Sequence, residues 1–211
     1  MRKKMTELEI KIILADSISN QYPDYIMGIE FPFQFGERRA DLALLNDMEL
    51  TSFEIKSATD RTTRLGYQLA SYRSYFDYCY VVCEESNLKE IRANTPKPIG
   101  ILIASKKGIK HIRKSYKFRS HDKESLCSTL SVSFLRSKSS LKKIKSKHEL
   151  CKHISSKNHV ETIRNWSRLD FKERYETASK LVKLEKGKTI NADDILTLTK
   201  KSPSNLFRRT S

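Results

Sequence analysis

The pattern of apolar residues along the 211-residue chain predicts an α/β fold: a mixed β-sheet flanked by helices, followed by a small basic helical C-terminal region. Two observations carry this prediction. Helix-like and strand-like periodicities alternate over residues 1–118. Beyond them the composition turns Ser/Lys-rich and the charge balance changes sign, from 13 Lys and Arg against 15 Asp and Glu in residues 1–105 to 28 against 10 in residues 106–211.

The elements follow in order. Thr6 and Glu9 form a capping-box pattern ahead of a helix whose buried face holds Leu8, Ile10, Ile12, Ile13 and Leu14. YIMGIEFPFQF, rich in β-branched and aromatic residues, reads as a strand, and RRADLALL and LTSFEIKSA as two more joined by the polar stretch 46–49. From Thr62 to Phe76 the spacing turns helical, with Leu65, Leu69, Tyr72 and Phe76 on one face. YCYVVCE and IGILIAS read as buried strands around the short helix NLKEIRANT, and GIKHIRKSYKF as an edge strand. The chain divides into a core over 1–118, a Ser/Lys-rich connection over 119–145, a basic helical region over 146–199 and a basic tail over 200–211.

A net charge of +16, held almost wholly by the second half, attracts a polyanion. DNA is the first expectation and RNA the second, with no membrane partner, because no apolar stretch approaches the length of a transmembrane helix. Four cysteines without CxxC spacing and a charged start without a secretory pattern predict a cytoplasmic protein with free thiols.

The second and third strands admit a register. If residues 46–49 form the connection, Leu45 faces Leu50 and Asp41 lies opposite Glu54. Alternation then puts Lys56 on the face of Glu54, and Leu42, Leu44, Phe53 and Ile55 on the other. Two carboxylates facing each other repel by about 0.2–1 kcal/mol. Such hard oxygens suit Mg²⁺ or Mn²⁺, which would relieve the repulsion and polarise a phosphodiester.

Arg39-Ala40-Asp41 followed by Phe53-Glu54-Ile55-Lys56, behind a helix that contains an acid, resembles the PD-(D/E)XK restriction-endonuclease-like nuclease superfamily. Gln68 and Tyr72 match the Q-x-x-x-Y form of its RecB-like branch, while Ala40 departs from the proline of the motif's name. The resemblance covers residues 1–105 and implies a restriction-endonuclease-like sheet and a metal-dependent deoxyribonuclease. It further implies that Asp41, Glu54, the Ile55 carbonyl and Glu9 hold Mg²⁺ or Mn²⁺, and that Lys56 assists water attack. Gln68 would steady the site, and Arg39, Arg61, Arg64 and Tyr72 would touch the nucleic acid. A second reading is a non-catalytic DNA-binding or assembly module of the same fold; a third is a nuclease toxin or phage-defence effector. The need to restrain a nuclease suggests a protein partner that directs it. His148, Cys151, His153 and His159 match no zinc-module spacing.

Overall fold

The first helix, α1 (Glu7–Gln21), begins where the sequence places a capping box: Glu9 N–H donates to Thr6 Oγ at 3.2 Å and Thr6 N–H to Glu9 Oε2 at 2.7 Å. The fold is seen in a computed structural model that describes residues 4–63, 65–140, 144, 146–185, 187 and 189–199. Arg64 and the tail 200–211 lie outside these residues.

Six strands form one open sheet in sequence order: β1 (Ile26–Phe33), β2 (Arg38–Asn46), β3 (Glu49–Lys56), β4 (Tyr78–Cys83), β5 (Gly100–Ser105) and β6 (Gly108–Arg113). β1, β2 and β3 are antiparallel, β3, β4 and β5 parallel, and β6 returns antiparallel. Each parallel step needs a crossover, supplied by α2 (Leu65–Tyr72) and α3 (Leu88–Asn94). In the β2–β3 hairpin Leu45 pairs with Leu50, and the ladder continues to Asn46 and Glu49. The turn is therefore Asp47-Met48 alone, with φ of 48° and 61°, the two left-handed positions that match strand twist in a tight hairpin.

The faces of the sheet hold two apolar layers. Leu42, Leu44, Phe53 and Ile55 pack with Ile10, Leu14 and Ile18 of α1. Ala43, Leu45, Leu50 and Val81 pack with Leu65, Leu69 and Tyr72 of α2 and with the C-terminal helices. Alternation slips at one place: Ile29 and Leu42 face α1, yet Phe31 and Ala40, two residues along each strand, join the opposite layer. Between them stand Glu30, at a φ of 53°, and Asp41.

The C-terminal half holds α4 (Lys123–Ser128), α5 (Val132–Lys138), α6 (Lys147–Lys157), α7 (Val160–Glu185) and α8 (Ala192–Thr199). The first two occupy the stretch expected as a connection and are capped by Asp122 and Ser131, whose side chains accept backbone N–H groups. α7 lies against the sheet, its Phe171 and Tyr175 rings 5.1 and 6.0 Å from Phe31, and Leu126, Leu150 and Ile163 join the same layer. The basic region thus completes the core instead of hanging from it. All four cysteines are buried free thiols, and among the described residues no helix is long and apolar enough to cross a membrane.

Candidate functional site

The residues singled out by sequence meet where β2 and β3 splay. The last ladder pair at that end is Leu42–Phe53; beyond it the Asp41 carboxylate accepts the Ile55 N–H at 2.6 Å, a side chain standing in for a ladder bond. Glu54 is buried on the α2 side, its Oε1 2.7 Å from Lys56 Nζ and its Oε2 2.5 Å from the Tyr72 hydroxyl. That hydroxyl also lies 2.8 Å from the Arg39 carbonyl oxygen, so its single proton serves two acceptors.

Burial and the neighbouring Glu54 charge push the Asp41 carboxyl up to about 8, against the opposing pull of the Ile55 N–H and Lys11. Burial alone would lower Lys56, but the Glu54 carboxylate outweighs it and holds the ammonium above its ordinary value. Tyr72 is pushed well up by burial and by Glu54, so it stays a phenol and a donor.

Three contributors were absent from the sequence reading. Glu7, Glu30 and Asp41 place carboxylate oxygens within 4.8 Å of one another. Lys11 answers that charge: its ammonium lies 2.7 Å from Glu7 and also pairs with Glu30, while Arg39 stands 3.7 Å from Glu30. Glu30, a lone acid in an apolar strand, was the available signal. Its left-handed backbone costs about 1–2 kcal/mol and is held by the packing around it.

The remaining predicted residues fall as follows. Glu9 is the capping acid of α1, and the acid that α1 brings to Asp41 is Glu7. Ile55 contributes its N–H to the site. Gln68 is half-buried one helical turn before Tyr72, and Arg61 and Arg39 are exposed. Of the histidines and Cys151, His148 packs on Phe35 with ring centroids 5.0 Å apart and Cys151 is buried.

The model of the family described as Bacteriophage P4 protein cII matches residues 1–199, and the chain belongs to that family. Protein cII of Enterobacteria phage P4 is 27% identical over 223 residues, covering 97% of this chain and 82% of that protein. A solved structure of a protein of unknown function from Silicibacter pomeroyi is similar at 14% identity and a TM-score of 0.43, covering 86% of this chain and 93% of that one.

Family membership corrects the nuclease assignment. The PD-(D/E)XK, RecB-like resemblance rested on a handful of spaced residues, whereas the cII match spans nearly the whole chain. The α/β mixed sheet remains, but the restriction-endonuclease-like label finds no support in the family the chain belongs to. The deoxyribonuclease activity inferred through that resemblance falls with it, and the Mg²⁺ or Mn²⁺ cofactor, read also from the facing carboxylates, finds no support in the family. The geometry supplies a physical counterpart. Lys11 pairs with Glu7 and Glu30, Asp41 accepts the Ile55 N–H, and Glu54 is closed in by Lys56 and Tyr72.

Proposed function

We propose that this member of the Bacteriophage P4 protein cII family is a DNA-binding module that leaves the DNA intact, with the Asp41–Glu54–Lys56–Tyr72 cluster as an internal brace. The charge distribution carries the reading: 28 Lys and Arg against 10 Asp and Glu in residues 106–211. Arg136, Lys152, Lys157 and Lys172 are exposed on α5, α6 and α7, helices whose opposite faces are committed to the core. Cations on a rigid frame release counterions from a phosphate backbone without first paying to order themselves. The brace reading is supported by the pairing of Glu54 with Lys56 and Tyr72, and of Glu7 and Glu30 with Lys11.

The test is a fluorescence-anisotropy titration of labelled DNA with the full chain between 50 and 200 mM salt, with and without Mg²⁺, followed by a denaturing gel. Affinity should fall by roughly 40-fold over that range for three duplex phosphate contacts, and further for a larger footprint. The DNA should be recovered uncut. Absence of binding at 50 mM salt, or affinity indifferent to salt, would overturn DNA binding. Mg²⁺-dependent cutting abolished by Asp41→Asn would overturn the non-catalytic part.

A further inference from the structure

The strap that follows β6 carries a surface of its own. Residues 114–122 run without helix or strand across the start of β4 and β5, and successive anchors fix their path. Ser115 Oγ accepts the Cys79 N–H at 3.0 Å, and the N–H groups of Tyr116, Phe118 and Asp122 donate to the Pro98, Asp77 and Ser74 carbonyls at 2.9, 2.8 and 2.9 Å. Gly100 permits the close approach: a Cβ there would sit 2.8 Å from the Ser115 backbone nitrogen.

The anchors leave a particular set of side chains outside. Lys114, Lys117 and Arg119 are exposed, and Tyr116 stands among them with 65% of its surface open. Arg73 of the α2–β4 connection joins them, its guanidinium 5.2 Å above the Phe118 ring. A groove of about 560 Å³ lies between Arg73, Ser74, Lys117, Arg119, His121 and Asp122. Nearby acids have partners: Glu49 pairs with Lys117, Asp122 caps α4, and Asp77 is buried against Arg164 and Arg168. Lys114, Arg119 and Arg73 therefore project a positive field along the strap.

From this we infer that the 114–119 strap, with Arg73, is a docking surface for single-stranded DNA. The inference rests on the DNA-binding reading and assigns it a place and a substrate form. An exposed aromatic among cations is what an unpaired strand needs: the ring offers a face to any base while the cations follow the phosphates. A duplex keeps its bases stacked and can use only the cations. The strap is pinned before the ligand arrives, so little ordering opposes binding. It lies at the opposite end of β3 and β4 from Glu54 and Lys56, since Thr51 pairs with Tyr78 whereas Lys56 pairs with Cys83.

The experiment titrates the full chain against one labelled oligonucleotide, single-stranded and as a duplex. It compares wild type, Tyr116→Ala and the double variant Lys114→Gln/Arg119→Gln, with thermal midpoints confirming that these surface changes leave the fold intact. Tyr116→Ala should weaken single-strand binding by roughly 5- to 160-fold and duplex binding far less. The double variant should lower the single-strand salt slope by about 1.4. If wild type binds DNA and both variants match it, the strap assignment is wrong while the DNA-binding reading stands. Equal losses on single strand and duplex from Tyr116→Ala overturn the single-strand assignment. Wild type binding neither form removes the reading beneath it, and the inference with it.

Discussion

Asp41 and Asp77 are acids serving the same sheet, and their surroundings drive them in opposite directions. Burial would raise both. At Asp77 it is outweighed by Arg168 at 3.0 Å, the Leu50 N–H at 2.7 Å and Arg164 at 2.9 Å, which hold the carboxyl below its ordinary value. At Asp41 the nearest compensation is one N–H and a lysine shared with other acids, and Glu54 adds a like charge, so the carboxyl rises to about 8. The difference separates two tasks. Asp77 ties α7, and with it the basic half of the chain, to the sheet; Asp41 closes a splayed hairpin whose charges nearly cancel.

The largest expected effect lies on the Asp77 side. Asp77→Ala would leave Arg168, which has no exposed surface, as an unpaired buried cation, costing about 3–5 kcal/mol. Urea unfolding measures it, and a loss under 1 kcal/mol would erase the distinction between the two acids. On the other side, Tyr72→Phe removes the hydroxyl shared by Glu54 and the Arg39 carbonyl. A buried acceptor left unsatisfied costs about 1–3 kcal/mol, so a smaller loss than for Asp77→Ala is expected in the same assay.

A subtler effect is the sign of the pH dependence. A carboxyl whose folded pKa is raised to about 8 keeps its proton in the folded state where the unfolded chain has lost it. Its contribution is fully present below about pH 4, the unfolded value, and is lost as pH rises towards 8. Asp77, depressed on folding, behaves in reverse: its contribution is present above the unfolded value and lost as pH falls through the folded one. Asp41→Asn should therefore lose stability less steeply than wild type between pH 4 and 8. Unfolding free energies at several pH values decide it, and parallel curves would show that Asp41 is not the titrating group.

Local physics was legible in the sequence wherever neighbouring residues set it. The capping box, the Leu45–Leu50 register and the segregation of Leu42, Leu44, Phe53 and Ile55 follow from spacing alone. The two-residue turn was not, because Met48 is an unusual occupant of a left-handed position. Lys11, Glu7 and Glu30 were missed because α1 was read for its apolar face, while the cluster is made by polar residues where strand alternation slips. The spaced acids and lysine of the hairpin recur by chance in charged sequences. They identified a real cluster but the wrong family, which a match over residues 1–199 corrected. Nor does sequence reveal that the basic half is built into the core: Arg168 meets Asp77 across 91 residues.

On the proposed reading, the protein grips DNA through exposed cations and uses its internal acids for folding. This is tested most directly by titrating labelled DNA, in Mg²⁺ and at two salt concentrations, with wild type and Asp41→Asn side by side. Equal affinities, equal salt dependence and intact DNA are expected for both proteins. DNA cut by wild type and spared by Asp41→Asn, or no salt-sensitive binding by wild type, would contradict the reading.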